Sequence, residues 1–143
     1  MLEVFLVSLI PVVELRGAIP LGILSLELPW LPVLVLGILG SFLPAILIVW
    51  GLERLLLVLD RHTLGSRLSG LTRWFVGKKS KPVEKWGSLG LVLLVAVPLP
   101  FTGVWTGSLV ASVLRLSIGR ALVCILLGCI IAGGIVTYIS VMV

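Results

Sequence analysis

Three stretches of the chain carry no charged side chain: residues 28–52, 86–114 and 121–143, which are 25, 29 and 23 residues long. A helix rises 1.5 Å per residue, so about 20 residues cross the hydrocarbon layer of a bilayer. A soluble domain carries about 25% charged residues. Here 12% of the 143 residues are charged, 59% are hydrophobic, and the mean hydropathy is +1.30. This composition excludes a soluble globular domain and predicts an integral membrane protein.

The net charge is +5 and the pI about 9.9. In a soluble chain that balance would suggest a nucleic-acid footprint. Seven of the eleven Lys and Arg residues, however, fall between Arg61 and Lys85, and such clustering reads as orientation in a membrane, with no nucleic-acid partner expected. No small-residue cleavage site follows the first apolar stretch and apolar runs continue to Val143, so the apolar segments are expected to belong to the mature protein. Cys124 and Cys129 are the only cysteines. Five residues apart on a helix they point about 140° from each other, so they are expected as buried free thiols. The single histidine, His62, stands among basic residues, and neither a metal nor a cofactor is expected.

The other apolar pieces are too short to cross. Residues 4–13 and 17–26 are ten residues each, separated by Glu14-Leu15-Arg16 and flanked by Pro11 and Pro20. The second half repeats the plan, with residues 88–97, a break at Pro98-Leu99-Pro100-Phe101-Thr102, and residues 103–112. Gly17 and Gly103 occupy matching places, 86 residues apart. Paired broken segments are the usual sequence trace of an inverted-repeat transporter whose site lies where the breaks meet. The predicted architecture is a single all-α integral membrane domain over residues 1–143, built as an inverted repeat of two units. The first, residues 1–60, holds a re-entrant helical hairpin (4–26) and a transmembrane helix (31–52). A basic cytoplasmic linker (61–85) follows, and the second repeat, residues 86–143, holds a re-entrant hairpin (88–112) and a transmembrane helix (118–142).

Charge placement favours re-entrant hairpins over four simple spans. With the basic linker cytoplasmic, four spans would export Arg115 and Arg120, against the rule that keeps Lys and Arg inside. Re-entrant segments place both arginines inside with Arg54, and put the N-terminus, the turn at residues 27–32 and the C-terminus outside. Leu64, Leu68, Leu71 and Phe75 recur at helical spacing, so the linker is expected to include an amphipathic helix on the cytoplasmic leaflet, with Trp74 and Trp86 at the headgroups.

Glu14 and Arg16 are the charges placed deepest between apolar stretches. At bilayer depth such a charge costs about 2.5–3.5 kcal/mol unless it meets water or a partner. On a helix, side chains two apart point about 200° from each other, whereas on an extended tip both can face one cavity. Gly17 and Gly103 each open an apolar segment, so two helix N-termini are expected to meet, and their free N–H groups and dipoles attract an anion. Arg16 precedes one of them and Thr102 the other. Thr102 and Thr106 supply hydroxyls for capping or for binding. Gly103, Gly107 and Ala111 recur every four residues, and Gly128 and Ala132 do so in the last span, which makes smooth faces for close helix packing. Trp105 stands among these glycines as a pathway-lining or packing residue, and Pro44 predicts a kink. No HExxH, GxSxG or Walker loop is present, so no enzymatic activity is expected.

Residues 11–22, Pro-Val-Val-Glu-Leu-Arg-Gly-Ala-Ile-Pro-Leu-Gly, taken with residues 98–107, Pro-Leu-Pro-Phe-Thr-Gly-Val-Trp-Thr-Gly, resemble the two signature segments of the small multidrug export protein family. That family is similar at a distance to the DedA, or VTT-domain, membrane proteins. Of the DedA acid-and-arginine pattern, Glu14 and Arg16 are kept in the first hairpin, and the second hairpin carries no charge. The resemblance implies transport in a prokaryotic cytoplasmic membrane. DedA-like proteins are associated with moving lipid phosphates such as undecaprenyl phosphate, often linked to the proton-motive force.

Three functions follow as expectations. In the first, a homodimer moves an anionic lipid headgroup of the polyprenyl phosphate or phospholipid class. Arg16 and the N–H groups near Gly17 and Gly103 hold the anion, and Glu14 couples it to a proton. In the second, Glu14 and Trp105 accept a lipophilic cation in exchange for protons. In the third, the protein is a membrane scaffold whose smooth Gly103 face docks a partner helix.

Overall fold

The computed structural model describes residues 1–59, 86–97 and 102–143. The amphipathic linker helix and the Pro98–Phe101 part of the second break lie outside the described residues. Within them the chain is helical and contains no strand. Helix α1 is Leu2–Ser8, α2 is Glu14–Pro20 with a π-helical extension over Leu21–Ser25, and α3 is Trp30–Leu59. Helix α4 is Ser88–Ala96, α5 is Val104–Val113 and α6 is Ile118–Met142. Each half thus places two short helices before one long one.

Among the described residues only α3 and α6 are long and apolar enough to cross a membrane, over Trp30–Leu55 and Ile118–Met142. Helix α3 runs beyond the expected inner end at residue 52, because Glu53 and Arg54 mark a change of polarity and neither breaks a helix. Pro44 is accommodated inside it. Less than half of each apolar window is buried within the protein. The outward faces carry Val35, Leu39, Leu43, Leu47 and Trp50 on α3 and Val123, Leu127, Ile130, Ile131 and Tyr138 on α6. Exposed apolar surface on that scale calls for lipid rather than water as solvent.

The change from α-helix to π-helix after α2 has a local cause. Pro20 closes α2 without an N–H to donate, and its ring crowds the carbonyl one turn back, so the next hydrogen bonds skip a residue. Leu26 N–H accordingly donates to Leu21 O, five residues earlier, at 3.1 Å.

One core joins the six described helices. Val4, Leu15, Ile19, Val33, Leu91, Val95, Val110 and Ile125 are buried in a single cluster. Small residues set the helix spacing. A Cβ on Gly128 would stand 2.6 Å from Val95 Cβ and 3.1 Å from Val92 O, so α4 lies directly on α6 there. A Cβ on Gly107 would meet Val95 Cγ2 at 2.6 Å, which brings α5 against the same side of α4. Ala111 and Ala132 are buried beside them. Gly133 receives Leu34 and Ile38 of α3, and Gly37 receives Ile19 of α2. At Gly40 the neighbour is the Ser8 hydroxyl, which donates to Phe5 O at 2.7 Å while Ser41 Oγ donates to Ser8 O at 3.3 Å.

The two hairpin tips differ. No extended tip separates α1 from α2: Leu9, Ile10 and Glu14 N–H groups donate back to Leu6, Val7 and Ile10 carbonyls, and α2 opens at Glu14. The second tip is extended at its described edges, with Val97 at ψ 119° and Gly103 at φ 169°.

Candidate functional site

Glu14 and Arg16 both extend from α2 to the helix ends that flank the second break. On an unbroken helix they would diverge by about 200°. Both lie in α2 and diverge, Glu14 toward the start of α5 and Arg16 toward the end of α4. Glu14, the first residue of α2, has φ +49°, a left-handed conformation that costs a non-glycine residue roughly 1–2 kcal/mol.

The Glu14 side chain is 5% exposed and lies at the N-terminus of α5. Its Oε2 accepts from Val104 N–H at 3.4 Å and its Oε1 from Trp105 N–H at 3.3 Å. These are the first two amides of α5, which have no partner within the helix. A carboxylate there also meets the positive end of the helix dipole. Gly103 permits the approach, since a Cβ at that position would collide with both carboxylate oxygens of Glu14.

Arg16 takes the opposite pole. Its Nη2 donates to Val95 O at 3.1 Å and to Val97 O at 2.9 Å, where α4 ends and leaves carbonyls free. Its Nη1 donates to Thr102 Oγ1 at 3.2 Å, and the Thr102 hydroxyl donates to Val97 O at 3.1 Å. The first half therefore sends an anion to a helix N-terminus and a cation to a helix C-terminus, one on each side of the break in the second half. Glu14 and Arg16 also lie close enough to interact electrostatically. Each charge thus meets hydrogen-bond partners of the second half, which offset part of the cost of its burial.

Of the candidate residues, the structure brings together Glu14, Arg16, Thr102 and Gly103. Thr106 is in the first turn of α5, half-buried. Gly17 is placed differently from the expectation. Because α2 opens at Glu14, three residues earlier, the Gly17 N–H is not free but donates to Val13 O at 3.0 Å. Its missing Cβ relieves a collision with the Val13 side chain. The expected pair of facing helix N-termini thus reduces to one, that of α5, and Glu14 occupies it. Gly107, Ala111, Gly128 and Ala132 lie at the helix contacts described above.

Sequence reading missed Val95, Val97 and the amides of Val104 and Trp105, which act through backbone atoms and leave no side-chain signal. It also left Cys129 without a role. That thiol is fully buried on α6, which packs against α2. No group of three His, Cys, Asp or Glu residues suited to a metal occurs among the described residues.

Comparison with curated proteins and with solved structures returns no match. A family model does match, over residues 14–135, beginning at Glu14 and ending within α6. The match takes in the whole of the Glu14 and Arg16 constellation and both of its helix ends, and by it the chain belongs to the small multi-drug export protein family.

Proposed function

We propose that this protein is a proton-coupled transporter of anionic headgroups, of the polyprenyl phosphate or phospholipid class, in the cell membrane. The carrying observation is the Glu14 carboxylate seated on the Val104 and Trp105 amides. That seat is an anion site occupied by the protein's own anion. When Glu14 takes up a proton, its hold on the positive end of α5 weakens, and a substrate anion can take the two amides in its place. Arg16, one hydrogen bond away at Thr102, supplies the balancing charge. Release of the substrate on the other side lets Glu14 lose its proton and return, so one proton and one anion move together. The likeness to DedA proteins belongs to this reading. So does a homodimer, since the two span-length helices and four short ones among the described residues are few to enclose a pathway.

The test is flux of a short-chain polyprenyl phosphate into proteoliposomes with and without an imposed pH gradient. Gradient-driven flux that Arg16→Ala abolishes is expected. Folded protein that moves no more phosphate lipid than empty liposomes overturns the reading.

A second reading is favoured by the family description, drug export, and by the Trp105 ring one residue beyond the α5 start. A lipophilic cation would then exchange for the proton of Glu14. The two readings differ in the sign of proton movement: a cationic dye releases protons from Glu14, while a lipid phosphate carries them along.

A further inference from the structure

We propose that the groove between the start of α3 and the end of α6 is a binding site for a diacyl membrane lipid, with an acyl chain against Leu34 and Gly134 and an ester carbonyl that accepts a hydrogen bond from the Thr137 hydroxyl. None of the residues that hold Glu14 and Arg16 lines this groove, so lipid binding here does not depend on what the Glu14 site carries.

The groove has a volume of about 280 Å³ and is lined by Trp30 and Leu34 of α3 and by Gly134, Thr137, Tyr138 and Val141 of α6. Two neighbouring glycines shape it. A Cβ on Gly133 would stand 2.8 Å from Leu34 Cδ1, so the helices touch there, whereas a Cβ on Gly134 would meet nothing within 4 Å and the surface opens. Trp30, Gly134, Tyr138 and Val141 are exposed, which turns the groove outward, toward lipid.

Among these apolar walls Thr137 is 6% exposed, and its hydroxyl is buried with no partner among the described residues. The other buried hydroxyls are satisfied: Ser8, Ser41, Ser108, Ser112 and Ser140 each donate to a backbone carbonyl, at 2.6–3.3 Å. A buried polar group that has given up water and gained no partner is rare in folded proteins, and plain hydrocarbon does not relieve it. The fitting occupant is apolar over most of its length and carries an acceptor at one depth. Helix α6, with 25 residues, is about 37 Å long against a hydrocarbon layer of about 30 Å. Thr137 stands five residues before Met142, about 7 Å from that end, which sets its hydroxyl just inside the hydrocarbon edge. Trp30 and Tyr138 beside it are the residue types that mark this level. The ester carbonyls that join lipid headgroups to acyl chains lie at the same depth. A helix of a second copy, with its carbonyls paired along its own axis, offers the hydroxyl no free acceptor.

The experiment uses the full chain in detergent, with dimyristoyl phosphatidylglycerol and its ether-linked analogue, di-O-tetradecyl phosphatidylglycerol, as probes, and native mass spectrometry to count bound lipid. The two lipids differ only in the ester carbonyls. They carry the same headgroup, so binding at the Glu14 site contributes to both alike. Wild type is expected to hold the ester lipid about fivefold more tightly than the ether lipid, the worth of one neutral hydrogen bond. Thr137→Val keeps the shape of the side chain and should bind both lipids equally, with the weaker affinity. In lipid-free detergent the same variant should melt higher than wild type, because an unpartnered hydroxyl is gone, and saturating ester lipid should narrow that gap. Gly134→Leu enters open space, so it should fold and lose the ester preference. Wild type that holds the two lipids equally, or an ester preference that Thr137→Val or Gly134→Leu leaves unchanged, overturns the proposal. So does a disulfide-linked dimer formed in membranes through Val141→Cys, with Cys124 and Cys129 changed to Ser, since it puts a second copy in the groove.

Discussion

Glu14 concentrates two unfavourable features in one residue: a buried carboxylate and a left-handed backbone. Strain of this kind persists where the surroundings over-determine it, which is common at functional sites. Here the surroundings are the two α5 amides and Gly103. Replacing Glu14 by Gln keeps the size and one acceptor oxygen but removes the dissociable proton. Flux in Glu14→Gln is expected to continue down a phosphate-lipid gradient and to lose its response to an imposed pH gradient; a retained response would remove Glu14 from the coupling step. Gly103→Ala tests the seat itself. The added Cβ meets only the far end of a flexible side chain, so the fold should survive, with a thermal midpoint within a few degrees of wild type. The carboxylate, however, must leave the Val104 amide, and gradient-driven flux is expected to fall about tenfold.

At the scale of elements, the halves share more than helix lengths. The turn before α3 reads Leu26-Glu27-Leu28-Pro29 and the turn before α6 reads Leu114-Arg115-Leu116-Ser117. In each, the charged residue is left-handed, Glu27 at φ +49° and Arg115 at φ +53°, and the long helix begins three residues later. Leu116 N–H donates to Ala111 O at 3.0 Å and Leu28 N–H to Gly22 O at 3.0 Å, both closing the preceding helix. Glu27 is exposed, so Glu27→Gly should relieve the left-handed strain and stabilise the protein by about 1 kcal/mol, read as a higher thermal midpoint in detergent. Helix contacts respond in the opposite direction. Gly128→Val drives a branched side chain into Val95 and the Val92 carbonyl and is expected to destabilise by about 1–3 kcal/mol in the same melt. An unchanged midpoint would mean that α4 does not rest on α6 at that point.

Across the whole molecule, the first hairpin holds the second by its two helix ends, and residues 86 apart, Arg16 and Thr102, meet there. The charges of the two left-handed turns differ in sign, acidic before α3 and basic before α6. The inverted arrangement expected from the sequence would put these turns on opposite faces of the membrane, the Arg115 turn inside. Single cysteines at positions 27 and 115, in protein with Cys124 and Cys129 changed to Ser, are expected to react with an impermeant thiol reagent from opposite sides of a vesicle. Labelling of both from one side would exclude the inverted arrangement.

The sequence alone determined whatever depends on polarity and length. Charge-free runs pointed to the two helices that, among the described residues, are long and apolar enough to cross, because a bilayer imposes a length that composition must meet. Buried charges nominated Glu14 and Arg16, because isolated charge in hydrocarbon demands a partner. Glycine spacing marked the close contacts of α4, α5 and α6. What the tertiary structure decided was who those partners are. Arg16 settles on the carbonyls of Val95 and Val97, and Glu14 on the amides of Val104 and Trp105. Every residue carries such backbone groups, so no side-chain pattern distinguishes these four. They become binding groups only where a helix ends and leaves them unpaired. Gly17, by contrast, was chosen as a helix start and proved to lie inside α2. The left-handed turn that opens the helix falls on Glu14, a residue type with little preference for it, and is enforced by contacts 90 residues away in the chain.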